Sequence, residues 1–266
     1  SGLQARTIEG AVLLRRAWDV RAVRDATIRH DLLAMFRERG LDERAECVID
    51  DAAGVHATAV LDAQGGPILI DEHATVRPGA IITGPAYVGA HATVLDRAVI
   101  RANTAIGPWC KVGGEVSGTI FQSYSNKAHD GFLGDSYVGE WVNLGAGTTN
   151  SNLLNTYGEV VAVATPGGRM ERTGQTFLGC VLGDHVKTAI CTRIMTGAVA
   201  HTGVMWASAT AVTGCVEPFA WVTDERRQRY RMERFLESAR AMMGRRGVEM
   251  SGAYTDVLAG LWSRAE

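Results

Sequence analysis

The stretch from Asn126 to Asn152 reads NKAHDGFLGDSYVGEWVNLGAGTTNSN and gathers the residue types that can do chemistry. His129 stands between Lys127 and Asp130, with Asn143, Asn150 and Asn152 following. A neutral imidazole that titrates near neutral pH is the usual general base for taking a proton from an attacking amine or hydroxyl. The competing reading is a surface histidine in a loop. Gly145-Ala146-Gly147-Thr148 would let a thioester approach the backbone and offer N–H groups to its carbonyl, or would only turn corners. The asparagines have a structural reading as well, as a stacked ladder or as left-handed corner residues.

What must position these groups is a repeat of six. Aliphatic residues recur at Ile70, Val76, Ile82, Val88, Val94, Ile100, Ile106 and Val112, with small residues four places later at Ala74, Ala80, Ala86, Ala92, Ala98, Thr104 and Cys110. Neither a helix near 3.6 nor a strand at 2 explains a strict six. A hexapeptide period is the signature of a parallel β-helix, in which three hexads close an 18-residue triangular coil. Ile49, Val55 and Leu61 start the series before Gly65-Gly66-Pro67 breaks its phase.

Between Val112 and Ile120 the register slips by two, and the spacing predicts that it resumes at Ile120, Asn126, Phe132, Val138, Leu144 and Asn150. A second interruption at about 151–175 reads as a hairpin, with a strand over 159–165, a turn at Pro166-Gly167-Gly168 and a return over 169–173. Repeats come back at Leu182, Thr188, Ile194 and Ala200. The reading divides the chain into an N-terminal helical segment (1–46), a β-helix (47–215) and a C-terminal helical cap (216–266). In the first segment Ile28, Leu32, Met35 and Phe36 have helical spacing and Gly40 stands at the C-terminal stop. Asp224 is expected to cap a helix running to about Met243, and a last helix holds Val257, Leu258, Leu261 and Trp262.

Composition bounds the partners. A net charge of −2, from 27 basic and 29 acidic residues, supplies no basic field for nucleic acid or an anionic membrane. Five cysteines without a CxxC pair argue against a disulfide framework or a zinc ribbon and suggest reduced thiols in a cytoplasm. No H-x3-H or H-x4-H pair exists, so no metal is expected, and there is no Walker or GxGxxG phosphate loop. His73 and His91, 18 apart, should stand one above the other on the outside of the coil.

On these residues the chain resembles the hexapeptide-repeat acyltransferases. The segments YSNKAHDGFLGDSYVGEWVNLGAGTTNSNL and GQTFLGCVLGDHVKTAI are similar to the acetyltransferase part of the bifunctional N-acetylglucosamine-1-phosphate uridyltransferase/glucosamine-1-phosphate acetyltransferases and to related sugar nucleotidyltransferase-type proteins. The resemblance implies a mainly β fold, a left-handed parallel β-helix with flanking helices. It further implies acetyl-CoA as co-substrate with no metal, an amino-sugar phosphate as acceptor, and a homotrimer whose sites lie between subunits. It makes His129 the base, Asn152 the residue that orients the reacting groups, Asn143 a sugar contact, and Ala146-Gly147 the place where the acetyl carbonyl meets backbone N–H groups. Phe132 stands where the family has a substrate-binding tyrosine, and Gly158 where it has a lysine, so phosphate recognition passes to Lys127, Lys111 or Arg101. A start at Ser1 suggests a processed, tagged or excised fragment, and the resemblance, to proteins with an N-terminal nucleotidyltransferase domain whose glycine-rich start is missing here, implies a C-terminal half. Two alternatives stand beside this reading: another amino, hydroxyl or nucleotide-linked sugar as acceptor, or a non-catalytic trimerisation or regulatory module.

Overall fold

The computed structural model describes residues 12–265; the ends of the two helical segments expected at 1–46 and 216–266 lie outside them. Short parallel strands wind into a prism with three walls. The first wall is a nine-stranded sheet running from Cys47–Ile49 through Ile68–Ile70, Ala86–Val88 and Thr104–Ile106 to Cys215–Val216. The second carries Thr75–Val76, Thr93–Val94, Lys111–Val112 and Asn126–Lys127, then continues through Asn143 to Lys187–Thr188, Met205–Ala207 and Ala220–Thr223. The third includes Val60–Asp62, Ile81–Thr83, Val99–Ile100, Glu115–Ser117, Phe132–Gly134 and Thr149–Asn150.

The hexad explains this shape. Two or three extended residues make each wall, one aliphatic side chain points inward, and a small residue lets the chain turn. Ile70, Val76, Ile82, Val88, Val94 and Ile100 fill the core, and Ala74, Ala80, Ala92 and Ala98 are buried at the turns. Ile49, Val55 and Leu61 belong to the first coil and are less covered, because no coil lies beneath them.

The resumption expected at Ile120, Asn126 and Phe132 is one residue out. Phe121 pairs with Ile106, Lys127 with Val112 and Leu133 with Val116, and all six are buried. The coil is shortened at two corners, Gly113-Gly114 and Gly118, instead of slipping at one. A one-residue shift sends every side chain to the opposite face. Ile120, Asn126 and Phe132 therefore face outward and Lys127 faces the core. Val138, Leu144 and Asn150 are inward as expected.

The first wall is covered on its outside. Helix α1 (Asp19–Glu38) lays Ile28, Leu32 and Phe36 on Leu69, beside Val48, Tyr87 and Ala105. The expected hairpin forms, Val161–Ala162 antiparallel to Glu171–Arg172, and with Trp18 it covers Tyr137, Val181 and Val199.

Asp224 caps no helix. The second wall runs on through Ala220–Thr223 and folds back at Arg227–Arg229, while the Asp224 carboxylate accepts from the Ser208 hydroxyl (2.8 Å) and the Ala209 N–H (2.6 Å). Helix α2 (Met232–Gly244) and helix α3 (Gly252–Arg264) then run back along the corner between the first and second walls. That corner carries stacked rings in left-handed positions, His73, His91, Trp109, Tyr124, Trp141 and His185. Gly203 leaves a gap in the stack, and Phe235 from α2 packs there edge-on to Phe219 and His185.

Candidate active site

His129 lies on the corner between the second and third walls. The coil beneath turns in two residues, Gly113-Gly114, whereas the His129 coil needs four, Ala128 to Gly131, so the longer corner overhangs the shorter. Gly114 has φ +70, and a Cβ there would stand 2.9 Å from the His129 carbonyl, 2.8 Å from that of Gly131 and 2.9 Å from Lys127 Nζ. Lys127 pins the turn from inside: its ammonium donates to the carbonyls of Gly113 and His129, each at 2.9 Å. Burial pushes its pKa down to about 8, against a smaller opposing effect of Asp130. Lys127 was expected to hold a substrate phosphate; facing the core at 2% exposure, it positions the His129 turn instead. The His129 imidazole is exposed and bonds to no described residue, which leaves both nitrogens for a ligand.

One coil above lie Ala146 and Gly147. Thr148 N–H closes the turn onto the Gly145 carbonyl and Cys191 N–H takes the Ala146 carbonyl (2.6 Å), while the N–H groups of Ala146 and Gly147 donate to no described group. Two unspent backbone donors at a glycine corner beside an imidazole are the kind of pair that stabilises a developing oxyanion. Asn143 is exposed on the outer face of the second wall, and its Oδ1 accepts weakly from Asn126 Nδ2 (3.4 Å). Asn150 is internal: Gly134 N–H donates to its Oδ1 (2.8 Å) and its amide donates to the Gly134 carbonyl (3.0 Å), so it stitches two coils.

Asn152 stands at the other end of the third wall. Its Nδ2 donates to Asp135 (2.8 Å), and Asp135 in turn accepts from Arg24 (2.7 Å) and Arg21 (3.3 Å) of α1. Buried Arg24 also donates to the Gly118 carbonyl. This chain of partners fixes the Asn152 amide, with its oxygen turned away from the carboxylate. Between the two ends, the Phe132 ring lies over Gly134, where a Cβ would meet it at 2.4 Å and Asn152 Nδ2 at 2.9 Å. His129 and Asn152 are separated by about four residues of extended chain, roughly 13 Å, so one chain does not bring them together.

The remaining expected residues are scattered. Lys111 is exposed one rung below Asn126, Arg101 is paired with Glu115 (2.6 Å) on the third wall, and Gly158 opens the hairpin excursion. Sequence reasoning missed Asp135, Arg24, Lys187 and Arg246; only the Gly-Asp step after Leu133 and the scarcity of lysine could have signalled any of them. Buried His185 shares a hydrogen bond with the Tyr254 hydroxyl (2.8 Å), and burial pushes its pKa down to about 3, so it stays neutral in the ring stack. Among the described residues no group of three or more His, Cys, Asp or Glu is placed to hold a metal, and no helix is long and apolar enough to cross a membrane.

No protein-family profile matches the chain. Over 134 residues, 50% of this chain, it is 37% identical to a bifunctional sugar-1-phosphate nucleotidylyltransferase/acetyltransferase of Sulfurisphaera tokodaii, covering 33% of that protein. Over 55 residues, 20% of this chain, it is 40% identical to the bifunctional protein GlmU of Rippkaea orientalis, covering 12% of it. The chain thus spans a third or less of the length of these curated relatives. Similar solved structures include the UDP-N-acetylglucosamine acyltransferase from Campylobacter jejuni, 14% identical with a TM-score of 0.32 over 79% of this chain and 81% of that one. Another is the acetyltransferase domain of PglB from Neisseria gonorrhoeae in complex with acetyl coenzyme A, 14% identical with a TM-score of 0.28 over 78% and 68%. With a parallel β-helix of hexapeptide coils and half its sequence similar to a sugar-1-phosphate nucleotidylyltransferase/acetyltransferase, the chain resembles the hexapeptide-repeat acyltransferases.

Proposed function

We propose that this chain is an acetyl-CoA-dependent N-acetyltransferase acting on an amino-sugar phosphate, as part of a sugar nucleotidyltransferase-type protein in the cytoplasm. The observation that carries the reading is the His129 corner: an exposed imidazole on a turn pinned from within, one coil below two N–H donors, with no partner for either among the described residues. The S. tokodaii relative, a nucleotidylyltransferase/acetyltransferase by name, supports the reaction class. His129 takes the proton from the acceptor ammonium, the amine attacks the thioester carbonyl, and the N–H groups of Ala146 and Gly147 hold the oxyanion until the CoA thiolate leaves.

Asn152 enters the site from a second copy. The first wall is covered and the outer row of the second is polar up to its helical cover, but the outer row of the third is apolar at Val60 (52% exposed), Ile81 (39%), Val99 and Phe132. Closure of three copies about this wall would set the Asn152 edge of one beside the His129 edge of the next. Phe132 and Gly158 favour a second reading for the acceptor, an amino sugar bound without the family's tyrosine hydroxyl and lysine.

The test is CoA thiol release with acetyl-CoA and a panel of amino-sugar phosphates, with light scattering to give the mass in solution. Full activity in His129→Ala, or a monomer at micromolar concentration, refutes the corresponding half of the proposal.

A further inference from the structure

Of the 27 basic residues only three are lysines, Lys111, Lys127 and Lys187, and all three belong to the second wall. Lys127 faces the core; Lys111 and Lys187 face outward. Asn143 lies between Asn126 on the rung below and Lys187 on the rung above, with rungs ~4.8 Å apart. Lys187 is half-buried, its one near acceptor is the His185 carbonyl at 3.4 Å, and no carboxylate pairs with it among the described residues. Burial pushes its pKa down to about 8, the mark of a cation that has lost water without gaining a counter-charge.

On the other side, Arg246 from the turn after α2 is clamped by the Trp109 carbonyl (3.2 Å) and Asn126 Oδ1 (2.7 Å), and no acidic residue among those described pairs with it. Above Lys187 the same row continues with Met205 and Trp221, which pack against the α2–α3 cluster. The exposed Asn143 amide is thus flanked by two cations just where the helical cover ends.

We infer that Lys187, Asn143 and Arg246 form a phosphoryl-binding site on the outer face of the second wall. A phosphate over Asn143 takes hydrogen bonds from the ammonium on one side and the guanidinium on the other, both charge-assisted. Asn126 leads into the His129 corner after about three residues, roughly 10 Å, so a bound sugar phosphate reaches toward the base. Assignment of the phosphate to the acceptor rests on the acyltransferase reading; the phosphates of CoA carry the same chemistry and are the other source.

With three lysines, protein labelled with carbon-13 at the lysine ε position gives three side-chain signals, assigned by substitution. Inorganic phosphate, glucosamine-1-phosphate and adenosine 3′,5′-bisphosphate are titrated separately. Saturable movement of the Lys187 signal is expected, with the Lys127 signal unmoved. Lys187→Met, close in volume, and Arg246→Gln, on a surface turn, should each weaken binding by at least about tenfold, with circular dichroism confirming the fold. Whichever organic phosphate binds tighter than inorganic phosphate identifies the source. A Lys187 signal indifferent to all three, or binding unchanged in both folded variants, overturns the site whatever the transfer assay gives. Intact phosphate binding without acetyl transfer instead refutes the enzymatic reading and leaves the site standing.

Discussion

Replacing Lys127 by methionine gives the most decisive test of how the His129 turn is held. The side chain is fully enclosed, and its pKa falls from an ordinary 10.5 to about 8. Below about pH 8 it is charged in both folded and unfolded chains, and the folded state bears the whole cost of burying it. Between about 8 and 10.5 the unfolded chain binds more protons than the folded one, so this group makes stability rise with pH across that window. At about 1.36 kcal/mol per pH unit the rise amounts to about 3 kcal/mol. Methionine removes the buried charge but also strips the Gly113 and His129 carbonyls of their donor, about 1–3 kcal/mol each. At pH 7 these effects oppose one another, and the variant stays within a few kcal/mol of wild type. The difference between the two proteins nevertheless changes by about 3 kcal/mol from pH 7 to 10.5, with wild type gaining. Lys187 and the tyrosines titrate in both proteins and cancel in that difference. Urea denaturation at fixed protein concentration across this range reads it directly. Parallel curves would mean that Lys127 is not desolvated and does not hold the turn.

Other perturbations report on neighbouring contacts. Asp135→Asn removes one of the two carboxylates on buried Arg24, leaving the exposed Asp25 (2.6 Å) as its counter-charge, and should cost about 1–3 kcal/mol in urea denaturation; a neutral result would mean that the α1 junction is wet. Gly114→Ala forces a Cβ into the His129 and Gly131 carbonyls at positive φ and should cost at least about 1–2 kcal/mol, seen as a drop of several degrees in Tm. Phe132→Tyr supplies the hydroxyl that the resemblance leads one to expect at this place and, on the proposed function, should raise kcat/KM for glucosamine-1-phosphate by about tenfold. An unchanged ratio would show that the acceptor does not contact this ring.

Legibility in the sequence followed the strength of the period. From Ile70 to Val112 eight aliphatic residues at one spacing leave a single architecture that can bury them all, and the walls there match the reading residue for residue. The hairpin was also legible, because alternation over 159–165 followed by the turn residues Pro166-Gly167-Gly168 has few other solutions. Reading failed where glycines shortened corners. Gly113-Gly114 and Gly118 remove residues without leaving an apolar marker, and an error of one residue turned Lys127 from a core pin into a surface ligand. Asp224 misled for a related reason, since an acid before a charged helical segment caps a turn as readily as a helix.

The sequence by itself determined the β-helix, the interrupted stretch from Asn126 to Asn152 and His129 at its exposed turn, because period and residue type are local properties of the chain. Tertiary structure alone decided which face each residue of that stretch presents. It also separated His129 from Asn152 along one wall, tied Asn152 through Asp135 to Arg24, and brought Arg246 beside Asn126 from 120 positions away. These are contacts between coils and between coil and helix, and no spacing along the chain encodes them, since corner lengths and the return path of the last helices set which rungs meet.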